Sequence, residues 1–206
     1  MQFRTKLLSS AYFPPVIFFS EIAHSQKNIL DISENYEKQS YRNRCRILGS
    51  NGVQALSVPV KKFSSGKTCI KDIRVDYSQD WQTVHRRAIA AAYSKSPFYE
   101  FYIHAFEPFF SREYEFLWDL NLDIIQTVFA ELEEQMNLKI DSFDANIDEN
   151  YTDLRHIIHP KKEQHSPTLH ANRPYTQVFF DRFDFIPNLS ILDLLFNKGS
   201  ETFLYL

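Results

Sequence analysis

The chain opens with an apolar run at residues 6–13, two consecutive prolines, an apolar run at helical spacing over 16–24, and a short apolar run at 28–32. The first and last read as strands. Pro14 and Pro15 cannot extend a strand ladder, because proline has no N–H, but they suit the first turn of a helix. Val16, Ile17, Phe19, Ile22 and Ala23 then recur near the 3.6-residue period. A strand, a helix and a strand in so short a space fold most readily as a parallel pair bridged by the helix. The fold class expected is therefore α/β: a mixed, mostly parallel sheet flanked by helices, with α+β as the alternative. Ligands of such folds collect outside the carboxyl ends of the strands. That puts Tyr12, Pro14 and Pro15 near a candidate site.

Residues 34–60 carry the strongest chemical signal. Asn51-Gly52 offers positive φ for a tight turn, which predicts a β-hairpin insertion between residues 41–48 and 53–59. Lys38, Gln39, Arg42, Asn43, Arg44 and Arg46 crowd the approach to it. On an extended backbone, side chains two apart share a face, so Arg42, Arg44 and Arg46 are expected to point together, with Asn43 opposite. Adjacent guanidiniums repel unless an anion or carboxylates intervene, and their planar fork grips phosphate or carboxylate through two bonds. An anionic small-molecule substrate follows as the expected partner. The competing reading is a solvated edge strand, whose charges discourage aggregation.

Only four glycines occur and none forms a phosphate-cradling loop, so side chains or helix termini must build any phosphate site. A net charge of −3 argues against a general nucleic-acid partner. Cys45 and Cys69 give neither a disulfide framework nor zinc spacing. His156 and His159 lack a third ligand, so no metal is assigned, and the cofactor stays open. No apolar run reaches the length of a membrane span and no leader pattern opens the chain. A cytoplasmic protein without a membrane partner is expected.

Helices are predicted over 81–94 with Asp80 as cap, after Pro97, over 116–136 and over 189–196; strands over 68–75 and 175–180. Residues 144–153 read as an acidic loop. The whole chain, 1–206, reads as a single domain, with 154–174 a mobile loop that could close a cationic flap over an anion. His85, one turn beyond Trp81, is the candidate proton carrier, since imidazole titrates near neutral pH. Asp193 is a carboxylate inside an apolar helix and must be paired, or be catalytic. Tyr175 and Gln177 share a face by period two, and Arg155 adds a second cation to the substrate-binding set. The many aromatic residues leave room for a homodimer patch of unspecified position.

The opening SSAYFPPVIFFSEI, then ENYEKQSYRNRCRI and NGVQALSVPV, the Trp81…His85 helix with Ala91-Ala92-Tyr93…Pro97-Phe98, and the closing PYTQVF…FIPNLSILDLLFNKG together resemble the WbqC-like protein family, in order and over nearly the whole chain. Many members read Pro-Trp-x-Gly-Tyr-Phe where this chain has Pro15-Val16-Ile17-Phe18-Phe19, and many carry a longer Gly-containing strand and loop where this chain has the polar stretch 153–174, so the resemblance is to a shorter subfamily. The resemblance implies a role in bacterial surface-polysaccharide (O-antigen type) or nucleotide-sugar metabolism. The function expected is a transferase acting on an anionic, phosphate-linked sugar. Two alternatives stand beside it: nucleotidyl or acyl transfer to an amino acid or amino sugar, and a non-catalytic ligand-binding or scaffold protein.

Overall fold

The computed structural model describes residues 4–62, 66–134, 137–143, 150–162 and 173–206. Strand β1 (Thr5–Leu8), helix α1 (Val16–Ala23) and strand β2 (Asn28–Asp31) form the expected opening unit. Strands β3 (Arg44–Gly49) and β4 (Gly52–Ser57) follow, then helices α2 (Trp81–Tyr93), α3 (Tyr99–Phe106) and α4 (Leu117–Glu131). Short strands β5 (Lys139–Asp141) and β6 (Tyr151–Asp153) precede the last α-helix, α5 (Ile191–Lys198).

Two sheets result. The larger has the order β5-β2-β1-β6 with every pair parallel; β3 and β4 form a separate antiparallel hairpin. The α/β class with its hairpin insertion therefore stands. Strand β2 is buried throughout, as a parallel strand covered on both faces must be. The chain steps outward from β1 through β2 to β5, then returns to the other side of β1 as β6. The strand order thus reverses beside β1, and the crevice at the carboxyl ends there is where ligands of open α/β sheets bind.

Phe13 packs against Phe106, Phe109 and Phe110, Phe106 against Phe196, and Phe19 against Phe129, so much of the aromatic content is core. The closing segment is stitched to the opening one. Val16 N donates to Leu189 O at 2.9 Å, Ile191 N to Pro14 O at 2.8 Å and Ser190 N to Arg46 O at 2.8 Å. No helix among the described residues is long and apolar enough to cross a membrane.

Several local expectations are corrected. Residues 41–43 form a 3-10 turn, capped by the Ser40 hydroxyl, before β3 begins at Arg44. The positive φ of the hairpin turn lies on Gly52 at 105° and not on Asn51. Residues 68–75 make only isolated bridges around a 3-10 turn, Ile70–Asp72. Residues 175–180 are not a strand, because no neighbouring strand offers them a ladder. Within the expected acidic loop, residues 151–153 are β6; residues 144–149 lie outside the described residues, as do 163–172 of the expected mobile loop. The described beginning of that loop is a tight turn: Leu154 N donates to Leu7 O, and Ile157 and Ile158 N both return to Leu154 O.

Candidate functional site

A cleft of about 910 Å³ opens at the carboxyl ends of β2 and β6. Its wall is built where the parallel strands stop. Asp31, the last residue of β2, is buried. Its Oδ1 accepts from Ser33 N (2.9 Å), Ser33 Oγ (2.6 Å) and Phe143 N (3.3 Å), and its Oδ2 accepts from Arg155 Nη1 at 2.5 Å. Asp153, the last residue of β6, takes the other side of the same guanidinium through Nε at 3.0 Å and Nη2 at 2.7 Å. Although burial opposes its ionisation, those bonds hold the Asp153 carboxyl below its usual pKa. The same carboxylates raise the Arg155 pKa.

Beside this pair lies a second. The Arg42 guanidinium, buried at 2% exposure, donates to Glu34 Oε2 from Nε at 3.1 Å and from Nη2 at 2.5 Å. Glu34 Oε1 accepts from Ser10 N at 3.0 Å, tying the pair to the exit of β1. Burial pushes Glu34 up to about 7, against the opposing pull of Arg42 and Ser10 N–H. Glu37 sits at the mouth, 3.5 Å from Arg42 Nη1, 3.2 Å from His156 Nδ1 and 3.9 Å from His159 Nε2. Partial burial works against its ionisation, but the His156 hydrogen bond and the Arg42 charge outweigh it and lower its pKa. Lys38, Lys67, Tyr36, Phe143 and Tyr151 also line it.

The residues singled out from sequence divide into three groups. Lys38, Arg42 and Arg155 line the cleft; Gln39 does not, and instead accepts from Lys161 Nζ at 3.0 Å. Arg44 and Arg46 share a face of β3, opposite Ser57 and Ala55, but do not line the cleft. Arg42 does not join them, because its 3-10 turn sends it to Glu34. Among the described residues neither Arg44 nor Arg46 makes an ion pair, and Arg44 Nε is buried without a hydrogen-bond partner. Asn43 spans the start of the hairpin, donating from Nδ2 to Val58 O at 2.9 Å.

The third group is buried elsewhere. Tyr12 and Pro14 are packed inside, and the Tyr12 hydroxyl meets His85 Nδ1 at 2.9 Å. His85 is 3% exposed; burial lowers its pKa to about 4, with a backbone hydrogen bond at Ser57 opposing. Its place beside Arg86 and Arg87 in sequence matters less than its enclosure. Among the described residues Asp193 pairs with no arginine: its Oδ2 accepts from Tyr175 OH at 2.7 Å and Gln177 Nε2 at 2.9 Å. Burial raises it to about 6, while Tyr175, Gln177 and Tyr93 oppose. Tyr175 and Gln177 do meet at one place, Asp193 Oδ2, although their backbone is not the strand from which a shared face was expected.

Asp31, Glu34, Glu37 and Asp153 were not expected in the site. The available signal was the acid that ends each apolar run or follows it, Asp31 after Asn28-Ile29-Leu30 and then Glu34 and Glu37. It indicates strand ends, where backbone and side chains turn toward a ligand.

A model of the WbqC-like protein family matches residues 9–166. That stretch contains the exit of β1, β2, the hairpin, β6 and every residue of the cleft named above. An uncharacterized protein of Mycobacterium tuberculosis, Rv1507c, is 26% identical over 225 residues, covering 96% of this chain and 95% of its own. No solved structure matches the chain significantly.

Proposed function

The chain belongs to the WbqC-like protein family, and on that premise we propose that its cleft binds a phosphate-linked sugar of the nucleotide-sugar kind for a group-transfer reaction of bacterial surface-polysaccharide metabolism. The observation that carries this reading is the interleaving of cations and carboxylates at the strand ends. Asp31, Glu34 and Glu37 alternate with Lys38, Arg42, Lys67 and Arg155 around one cavity. A ligand made of phosphates alone, such as inorganic triphosphate, would meet repulsion from those carboxylates. A ligand rich in hydroxyls with one anionic part fits better, because each hydroxyl can donate to a carboxylate and accept from a cation.

Arg155 suits the anionic part. Three of its five N–H groups are committed to Asp31 and Asp153, which fix the guanidinium plane and leave the others for a ligand. Strand order supports a nucleotide as the phosphate carrier, since the order reverses beside β1 as in nucleotide-binding α/β sheets. The N-terminus of α1 offers less, since Leu189 O already takes the Val16 N–H.

Thermal-shift and calorimetric titrations with UDP-, dTDP- and GDP-sugars, sugar phosphates, acyl-CoA, ATP and inorganic phosphate test this. Stabilisation by a nucleotide sugar that is weakened in Lys67→Ala and retained in Arg44→Met is the expected result. Stabilisation by ATP or acyl-CoA alone would transfer the site to nucleotidyl or acyl transfer. No stabilisation by any of them would overturn the reading.

A further inference from the structure

We infer that Glu37 and His156 form the proton-transfer pair of the cleft, with His156 as the general base and Glu37 as its positioning residue. The inference rests on the cleft being the site of a phosphate-linked sugar. A carboxylate oxygen can only accept, so the 3.2 Å contact between Glu37 Oε2 and His156 Nδ1 places a proton on Nδ1. Neutral His156 then carries its lone pair on Nε2. The ring is 63% exposed and lines the cleft, so that nitrogen is accessible to a substrate. A base oriented by a carboxylate on its far nitrogen is the arrangement general-base catalysis requires.

The backbone holds the pair in place. His156 sits in the turn that Leu154 and Ile158, both buried, anchor beneath the cleft. Its neighbour Arg155 is clamped by Asp31 and Asp153. Arg42 and His159 also face Glu37, and Asp153 lies within electrostatic reach of His156. His85, by contrast, is enclosed and already engaged through Nδ1.

In the transfer step the acceptor is a hydroxyl, or water when no other acceptor is present. Its O–H bond breaks and the proton passes to His156 Nε2. The freed electron pair forms a bond to the anomeric carbon of a nucleoside-diphosphate sugar. The bond from that carbon to the diphosphate oxygen breaks, and its electrons leave with the nucleoside diphosphate, whose charge faces Arg155 and Lys67. His156 returns its proton to water.

The test has two arms. Nitrogen-15 NMR of the His156 ring needs no ligand: the Nδ1–H tautomer is expected in the unsubstituted protein and a shift toward Nε2–H in Glu37→Ala, and the same tautomer in both overturns the pair. The second arm measures release of nucleoside diphosphate from UDP-, dTDP- and GDP-sugars, alongside their binding by calorimetry. His156→Gln should lose roughly 10²–10⁴-fold in rate with affinity unchanged. Glu37→Gln should lose less in rate, again with affinity unchanged. Binding without turnover in the unsubstituted protein, or equal rates in His156→Gln, overturns the catalytic role. Failure of every sugar nucleotide to bind overturns the substrate reading, and the tautomer measurement still decides whether the pair exists.

Discussion

Asp31 Oδ2 and Arg155 Nη1 meet at 2.5 Å across 124 residues of sequence. The contact joins the end of β2 to the turn after β6, and β1 runs between those strands. One ion pair thereby fixes the width of the crevice where the strand order reverses.

Breaking that clamp should cost stability and the site together. Arg155→Met leaves Asp31 buried without its cation, while Asp153 keeps partial contact with water. Removal of one partner from a fully buried pair costs about 3–5 kcal/mol. Since Arg155 is partly exposed, about 2–3 kcal/mol is expected from urea denaturation. Arg155→Lys should recover part of the stability but little of the ligand affinity, because one ammonium cannot serve both carboxylates in the same plane.

His85 predicts an acid-side loss of stability. Its folded pKa of about 4 lies below the ordinary histidine value of 6.5, so the unfolded chain binds the proton more readily. Its contribution is complete above pH 6.5 and is lost as pH falls toward 4, by about 3 kcal/mol in total. Denaturation of the unsubstituted protein and of His85→Gln across that range should show the two stabilities converging as pH drops. A constant gap would mean that His85 is solvated.

Asp193 has the opposite sign. Burial raises its folded pKa to about 6 from 3.8, so its favourable contribution is present at low pH and lost as pH rises through that window. Asp193→Asn keeps an oxygen for Tyr175 and Gln177 but carries no charge. Its stability relative to the unsubstituted protein should therefore improve by about 2–3 kcal/mol between pH 4 and pH 7. Parallel denaturation curves at both pH values would refute this.

Gly199 ends α5 at φ 56°, where a side chain is strained, and an added Cβ would lie 2.7 Å from the Phe98 ring. Gly199→Ala should cost roughly 1–3 kcal/mol, measured as a lowered thermal midpoint, with ligand affinity unchanged because the cleft is elsewhere.

The sequence by itself determined the local elements. Pro14-Pro15 preceded α1, with Pro15 at its N-cap, although the first strand stops earlier, at Leu8; the periodic apolar residues gave α1, α2, α4 and α5, Asp80 capped α2, and Gly52 set the hairpin. These are legible because the interactions that decide them lie within a few residues of one another. The arginine cluster was visible too, but not its division, since Arg42 turns inward on a 3-10 turn that strand periodicity does not foresee. Only the tertiary structure decided which charges share a site. Glu34, Glu37 and Arg42 are brought against Arg155 and His156 by the pairing of β2 and β6 on either side of β1. Likewise the enclosure that drops His85 to about pKa 4, and the meeting of Asp193 with Tyr175, arise from packing between distant segments. Burial and long-range pairing set charge, proton affinity and access, and no spacing along one chain encodes those directly.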